Sequence, residues 1–176
     1  MVAGKLYANP LPISGELGHT PVLGNPRSCG CGAVGCVETL VSTPGLLQSY
    51  GEEHPKTPIS WSALRSAILQ SGMEPWLTST LEATAVVIAG ALNVLGLHRV
   101  IITGSLTELP LAVMEYLAAG IRKGAMWARF GKVEVERAPR RRTAGLVAVG
   151  LDRLVLPMTG AFQPSQRLSS LAGKAA

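Results

Sequence analysis

The chain has 176 residues, of which 47% are hydrophobic and 15% are charged, and its formal net charge is +5. This size and composition suit one globular domain with a mostly aliphatic core. The longest uncharged apolar run, 83–97, is shorter than the roughly 20 residues that span a bilayer, and segment 1–13 lacks the continuous apolar block of a secretory signal. The only tight basic run, 140–142, has no aromatic residues interleaved with it. We therefore expect a cytoplasmic protein that enters no membrane and does not bind nucleic acid directly.

The N-terminal region is rich in glycine and proline and has little apolar periodicity. In residues 1–23, the pair Leu6 and Tyr7 fits the end of a hairpin strand. Residues 24–36 are rich in glycine and cysteine, which predicts a loop. Such a loop has no core of its own, so its order must come from another source.

Two short helices are predicted next. Thr43 is the expected N-cap of the first helix, which should end at Gly51. Residues 52–58 then form a linker. Ser60 is the expected N-cap of the second helix, and Gly72 should end it.

The strongest predicted element is a helix over 75–95. Pro75 stands in its first turn and Gly96 follows its end, as is typical of the two helix boundaries. Because the run 83–97 is uncharged, we interpret this segment as a buried helix. Its predicted apolar face contains Leu77, Leu81, Val86, Ile88, Ala89 and Leu92.

The C-terminal half alternates strands and helices. The predicted elements are a buried strand over 100–102, a helix over 110–121, a strand over 132–136 and a helix over 144–156. Together with the preceding long helix, the order helix, strand, helix, strand, helix indicates an α/β architecture. Residues 158–176 lack periodicity and are expected to form a flexible tail.

Three cysteines, Cys29, Cys31 and Cys36, fall within eight positions, and the chain contains no others. An odd number of cysteines with a one-residue spacing does not form a disulfide framework, whereas three thiolates and one imidazole complete a tetrahedral zinc site. His19, ten residues before the first cysteine, is the predicted fourth ligand. A closed site of this kind leaves no position for a reactive water, so the zinc would be structural.

The glycines between the cysteines support this interpretation. Gly30, Gly32 and Gly35 are predicted to let the backbone turn tightly enough for three sulfurs to converge on one ion. Two alternatives stay open. The cysteines could pack without a ligand, or one of them could be a redox or nucleophilic group, although no Cys-His-carboxylate set is evident.

The residues around these ligands resemble a known family signature. Residues 15–19 read Gly-Glu-Leu-Gly-His, and residues 29–38 read Cys-Gly-Cys-Gly-Ala-Val-Gly-Cys-Val-Glu. Both closely resemble the ROK family, whose name covers repressors and sugar kinases, and the similarity continues through 100–105 and 143–150.

This resemblance implies a fold that composition alone does not show. It is the C-terminal lobe of an actin-like (ribonuclease-H-like) ATPase-domain fold with a zinc-braced loop, one half of a two-lobed protein. We expect this lobe to cover 1–157, with its zinc- and sugar-binding loop at 15–38.

The resemblance also implies a ligand site. In the ROK family the Glu and His of the first motif and the Glu after the third Cys contact sugar hydroxyls. These positions are Glu16, His19 and Glu38 here, and the expected ligand is a sugar or sugar phosphate. Without the resemblance, Glu38 would be an acidic residue at a helix N-terminus. His54 and His98 have no predicted partners and receive no role.

The sequence departs from the family's kinases at their catalytic parts. A ROK kinase needs an Asp-x-Gly-Gly-Thr phosphate loop and an Asn-Asp pair that supplies a general base, and the chain contains neither. The kinases also have a Gly-Gly-Gly-like turn where this chain reads Gly104-Ser105-Leu106. We therefore expect no catalytic residues and no ATP binding in this chain alone.

Three functions follow from these observations. The first is the zinc-containing, carbohydrate-binding part of a ROK transcriptional regulator, truncated or split, without its DNA-binding and N-terminal lobes. The alternative is the C-terminal half of a ROK sugar kinase that works with a companion N-terminal lobe. The third is a non-functional remnant. Because dimers and tetramers are common among ROK proteins, a homo-oligomer is expected for the full-length form.

Overall fold

The computed structural model describes residues 15–139 and 142–151. The chain divides into two compact units, Met1–Pro139 and Arg140–Ala176. The predicted hairpin strand at Leu6 and Tyr7 and the predicted tail lie outside the described residues.

The described chain has four helices in succession, and from the fourth onward helices and strands alternate. The helices are α1 (Glu38–Val41), α2 (Thr43–Glu53), α3 (Trp61–Ser71), α4 (Pro75–Leu95), α5 (Leu111–Gly124) and α6 (Arg142–Gly150). The strands are β1 (Arg99–Thr103) and β2 (Glu134–Ala138), and short 3-10 turns cover Leu17–His19, Ser105–Glu108 and Met126–Arg129. The predicted α/β architecture is confirmed.

The core is built on the pair of long helices, α4 and α5, which place leucine and isoleucine side chains against each other. Its fully buried side chains include Leu77, Leu81, Leu117 and Ile121. Two glycines of α5 allow the helices to approach closely, because a Cβ atom at Gly120 would lie 2.8 Å from the Cβ atom of Ala85 on α4. The same holds one turn later, between Gly124 and Ala89, at 2.9 Å.

The two strands form a parallel pair, with Arg99 opposite Glu134 and Thr103 opposite Ala138. Helix α5 connects them, as parallel pairing requires a crossover. β1 was predicted as a buried strand, and this is wrong for the described residues: Val100 and Ile102 are partly buried against the core, whereas Ile101 is exposed.

The exposed face of this sheet is polar. The guanidinium group of Arg99 donates to both carboxylate oxygens of Glu136, at 3.1 and 3.0 Å, across the strand pair. Arg99 also lies 3.7 Å from the carboxylate of Glu134. Because all three side chains are largely exposed, this network fixes the register of the strands more than it stabilises them.

Helix α2 begins and ends differently from its prediction. The N-cap is Ser42, whose hydroxyl accepts a hydrogen bond from the Gly45 N–H at 3.2 Å, and Thr43 is the first helical residue. The helix continues through Gly51, which was predicted to end it. A Cβ atom at Gly51 would stand 2.6 Å from Cδ1 of Ile59, so the absence of a side chain here makes room for Ile59.

The other boundaries agree closely with the sequence. Ser60 caps α3 through a hydrogen bond from the Ala63 N–H, and Gly96 ends α4 with a left-handed φ of 63°. Helix α5 extends beyond its predicted end, and β2 starts two residues later than predicted. Helix α6 begins at Arg142, earlier than predicted, and the predicted helical residues 152–156 lie outside the described part.

Helix α4 is buried on one side only. Of its predicted apolar face, Leu77, Leu81, Ala89 and Leu92 are buried, but Val86 is 70% exposed. By length and composition α4 could cross a membrane, and it is the one such helix in the described residues. One such helix is weak evidence for a membrane span, because the core helix of a soluble protein has the same length and composition.

His54, predicted to lack a partner, has one. Its Nε2 atom lies 2.9 and 3.0 Å from the two carboxylate oxygens of Glu74, and its ring packs 4.8 Å from that of Tyr50. Glu74 also accepts a hydrogen bond from the indole N–H of Trp76 at 2.8 Å. These contacts join the end of α2 to the start of α4, which is a structural role.

Candidate metal and ligand site

Four predicted ligands come from three local structures. His19 ends a 3-10 turn, Cys29 and Cys31 lie in the following loop, and Cys36 stands two residues before α1. The loop is short of apolar residues but closes through backbone contacts. The N–H of Cys29 donates to the carbonyl of Ala33 at 2.8 Å.

The chain reverses direction within this loop. Antiparallel bridges pair Pro21 with Cys36, and Ser28 with Val34. These bridges bring the segment before the cysteines alongside the segment after them. His19 and the third cysteine, 17 positions apart, therefore meet, with the Cys36 thiol 3.6 Å from the His19 carbonyl oxygen.

The three predicted turn glycines all lie where the loop turns or bends, and two of them have a left-handed conformation. Gly32 and Gly35 have φ values of 89° and 87°, which L-residues with side chains rarely adopt. A Cβ atom at Gly35 would also lie 3.0 Å from the carbonyl oxygen of Asn25. Gly30 lies in a turn without a positive φ.

The four donor atoms lie at spacings that suit one tetrahedral ion. Cys31 and Cys36 place their sulfurs 3.7 Å apart, and the Cys29 sulfur lies 3.5 Å from Nδ1 of His19. Zinc bonds of the usual length would give roughly 3.8 Å for a sulfur pair and roughly 3.6 Å for a sulfur and a nitrogen. All donor atoms lie within 4.8 Å of one another, so the cluster could hold a metal ion.

The thiols differ in burial and in acidity. Cys36 is fully buried, Cys29 nearly so, and Cys31 is exposed. The backbone N–H of Cys31 lowers the pKa of the Cys29 thiol, but burial, the other two thiols and the Glu38 carboxylate outweigh it and raise this pKa to about 12. Burial likewise raises the pKa of Cys36.

Cys31 titrates in the opposite direction. The backbone N–H of Ala33, and then hydrogen bonds from the other two thiols, lower the pKa of Cys31. The metal-free cluster therefore holds protons on two sulfurs that a metal ion would have to displace. Three thiolates and an imidazole are the donor set that zinc prefers.

Two carboxylates flank the imidazole. Glu38, the first residue of α1, lies 3.9 Å from Nδ1 of His19 and accepts a hydrogen bond from the Cys29 thiol at 3.3 Å. Glu16 lies 3.8 Å from Nε2, on the other side of the ring. The three residues predicted to contact sugar are thus adjacent, and their side chains are 34% to 55% exposed.

The arrangement separates the two nitrogens of His19. Nδ1 faces the sulfurs, and Nε2 faces Glu16. An ion held through Nδ1 would leave Nε2 carrying the proton, as an N–H donor directed toward solvent and Glu16. Glu38 begins helix α1, as one interpretation of the sequence predicted, and its carboxylate lies against the cluster.

Asn25 and Arg27 were missed by the sequence analysis. Both lie in the loop: Asn25 bonds to α1, and Arg27 bonds to α1 and to α2, up to 25 positions away in the chain. No periodicity marks them. The one available signal was that Arg27 stands in a loop with no acidic residue nearby in sequence. If such a side chain is buried, its partner must be distant in the chain.

Comparison with known proteins identifies the relatives of this arrangement. The sequence model that describes the ROK family matches residues 1–151 of this chain. The chain is 26% identical to the N-acetylgalactosamine kinase AgaK of Shewanella sp. (strain ANA-3) over 166 residues, which cover 86% of this chain and 53% of the kinase.

Two solved structures share the fold. The ROK hexokinase from Thermus thermophilus superposes with a TM-score of 0.68 at 21% identity, over 84% of this chain and 49% of the hexokinase. A ROK family transcriptional regulator, a homologue of the Escherichia coli MLC protein, superposes with a TM-score of 0.59 at 19% identity, over 74% of this chain and 36% of the regulator. The chain thus spans about half the length of the kinases it matches.

Proposed function

This chain belongs to the ROK family, and from that membership we propose that it forms the zinc-braced, carbohydrate-binding part of a ROK transcriptional regulator. The observation that carries the proposal is the position of Glu16 and Glu38 on either side of a histidine that also faces three cysteine sulfurs. A metal ion would hold the imidazole still, and the two carboxylates would accept hydrogen bonds from sugar hydroxyls.

The ligand side of the proposal follows from chemistry. Carboxylates and one imidazole N–H suit a neutral polyol, and their partial exposure leaves them accessible to a small molecule. The proposed ligand is a sugar or a sugar phosphate, and the proposed role of the metal is structural. A cytoplasmic location, where thiols stay reduced, a companion N-terminal lobe and homo-oligomerisation belong to the same proposal.

The turn after β1 favours a regulator over a kinase. Gly104 has a φ of 99°, and the next residue is Ser105, whose hydroxyl hydrogen-bonds to the hydroxyl of Thr43 on α2. A serine side chain therefore occupies a position where ROK kinases have glycine and the backbone approaches the nucleotide.

The second candidate function is the C-terminal half of a sugar kinase. It is favoured by the sequence relatives, since one of them is the N-acetylgalactosamine kinase AgaK. ATP-dependent phosphorylation of N-acetylgalactosamine or of free hexoses by this protein, measured by ADP release, would support the kinase and contradict the regulator.

The sugar site is tested by separating ligand binding from metal binding. Glu38→Ala is expected to weaken sugar binding by about 1.5 to 3 kcal/mol, the value of a hydrogen bond to a charged group, with unchanged zinc content. Cys31→Ser is expected to lower zinc content. Calorimetry with a panel of hexoses and N-acetylhexosamines measures the first effect, and elemental analysis of reduced protein measures the second.

A matched control is Glu53→Ala, which removes an exposed carboxylate at the end of α2, outside the cluster. It should change neither quantity. If Glu38→Ala releases the metal, or if it binds every sugar as well as the parent protein does, the assignment of Glu38 to the ligand is wrong.

A further inference from the structure

We infer that Arg27 is a positioning residue for the proposed carbohydrate site, because it fixes helix α1, and with it the Glu38 carboxylate, without involving the metal. The inference rests on the proposed function of Glu38. It adds a second contact that would hold the site in place, besides the proposed metal ion. Neither Arg27 nor its partner Asn25 belongs to the metal ligands or to the predicted sugar contacts.

The Arg27 side chain is enclosed and its donors are occupied. Only 15% of the side chain is exposed. It makes four hydrogen bonds, and their partners lie on helices α1 and α2. Nη1 donates to the carbonyl oxygens of Thr39 at 2.9 Å and Gly45 at 3.2 Å. Nη2 donates to the hydroxyl of Ser49 at 3.0 Å and to the carboxylate of Glu52 at 2.7 Å.

Helix α1 needs such support. It has only four residues, and a helix of one turn is not stable by itself in water. The carbonyls of its last turn have no partner inside the helix, and the carbonyl of Thr39 is one of them. Arg27 supplies a charged donor there. It bonds the Gly45 carbonyl of α2 with the same nitrogen, so the guanidinium locks α1 to α2.

The junction between the two helices is tight. A Cβ atom at Gly45 would collide with the carbonyl of Thr39, so the backbones themselves are in contact. This leaves α1 little freedom to settle elsewhere once Arg27 is in place. Without the guanidinium, two carbonyls and a hydroxyl would lose a donor in a partly buried region, which is a costly arrangement.

Asn25 extends the contact to the other side of Glu38. Its amide nitrogen donates to the carbonyl of Cys36 at 3.1 Å and to the hydroxyl of Thr39 at 2.9 Å, and its amide oxygen accepts from the backbone N–H of Arg27 at 3.2 Å. The two residues therefore hold the backbone two positions before Glu38 and one position after it.

The two sides of the proposed sugar site are therefore held by different groups. The proposed metal would fix His19, whereas Arg27 and Asn25 fix the helix from which Glu38 reaches the same imidazole at 3.9 Å. Displacing a correctly placed group by about 1 Å has large effects on ligand recognition. Loss of Arg27 should therefore weaken sugar binding while the metal stays bound.

The test uses Arg27→Gln and Arg27→Lys, with Glu53→Gln as the matched control. Three quantities are measured: calorimetric affinity for N-acetylgalactosamine and a panel of hexoses, zinc per chain, and hydrogen exchange of the α1 amides from Thr39 to Ser42. For Arg27→Gln we expect roughly tenfold weaker sugar binding, the loss of about one charged hydrogen bond, faster exchange in α1, and unchanged zinc.

The lysine variant distinguishes geometry from charge. One ammonium group cannot reach two carbonyls, a hydroxyl and a carboxylate together as the guanidinium fork does. Arg27→Lys should therefore recover little of the lost affinity. Full recovery would show that positive charge alone is sufficient and would overturn the positioning role.

Other outcomes also decide the matter. Unchanged exchange in α1, loss of zinc together with sugar, or loss of exchange protection across α4 as well as α1 would each contradict a local role for Arg27. If the parent protein binds no sugar, the proposed function fails, but the exchange measurement still reports whether Arg27 holds α1.

Discussion

The loop at 15–37 and the helix pair α4 and α5 obtain their order in opposite ways. In the loop the buried residues are confined to Cys29 and the segment 35–37, and the backbone is held by turns, two bridges and polar side chains. In the helix pair, buried leucines and isoleucines pack across a contact that glycines make close. The comparison shows that the candidate site lies in a region with little apolar packing, so we expect its order to depend on a bound metal ion.

Removing the metal is expected to have the largest effect, and that effect should be confined to the loop. Chelation of the zinc-loaded protein should abolish hydrogen-exchange protection in the loop, because the loop has no core to replace the ion and metal binding is coupled to folding. The helix pair should keep its protection. Exchange measured by mass spectrometry before and after chelation, with restoration on adding zinc, checks this prediction.

The zinc affinity of the loop should also depend on pH, and the pKa shifts of the thiols give the direction. Because the pKa of Cys29 is about 12 and that of Cys36 is also raised, both thiols carry protons at neutral pH and must release them to bind an ion. Zinc affinity should therefore fall as pH falls, by roughly two to three decades per pH unit. Competition titrations between pH 6 and pH 8 with a zinc indicator would measure the slope, and a flat profile would argue against thiolate ligands.

Leu117→Ala tests the other region and should have the next largest effect. Leu117 is fully buried between α4 and α5, so shortening it leaves a cavity that costs about 2 to 5 kcal/mol of unfolding free energy. Zinc content at low temperature should stay at one ion per chain. Chemical denaturation followed by circular dichroism measures the loss, and Leu111→Ala, at an exposed position of α5, is the control.

The same contrast explains how much the sequence could predict. Boundaries of α3 and α4 carry local signals, a serine N-cap and glycines past the helix ends, and the structure confirms them. The cluster of His19 and three cysteines that could hold a metal ion was predictable because the cysteines are close in sequence. By contrast, no local pattern marks the continuation of α2 through Gly51, which lies beside the Ile59 side chain.

Long-range polar contacts account for the remaining errors. Arg27 meets its partners 12 to 25 positions away, and His54 meets Glu74 20 positions away, so neither pair follows from spacing. The exposure of Val86 has a related cause. Helix α4 carries apolar residues on more than the side that packs against α5, so hydropathy alone overstates the burial of that helix.

The smallest expected effect comes from a polar contact in the helix pair. The hydroxyl of Tyr116 on α5 donates to the carboxylate of Glu82 on α4 at 2.6 Å, on the exposed side of the pair. Because apolar packing already holds these helices, Tyr116→Phe should change Tm by no more than about 3 °C.

The pH dependence of that contact gives the prediction a sharper form. The hydrogen bond to Glu82, and then burial, raise the pKa of Tyr116 above its ordinary value. A raised pKa in the folded state means that the contribution is complete below the pKa of the unfolded chain and is lost as pH rises through the folded value. Any Tm difference between the parent protein and Tyr116→Phe should therefore be constant near neutral pH and disappear in strongly alkaline solution. A large loss of stability at neutral pH would show that the helix pair, like the loop, depends on its polar contacts, and the contrast between the two regions would not hold.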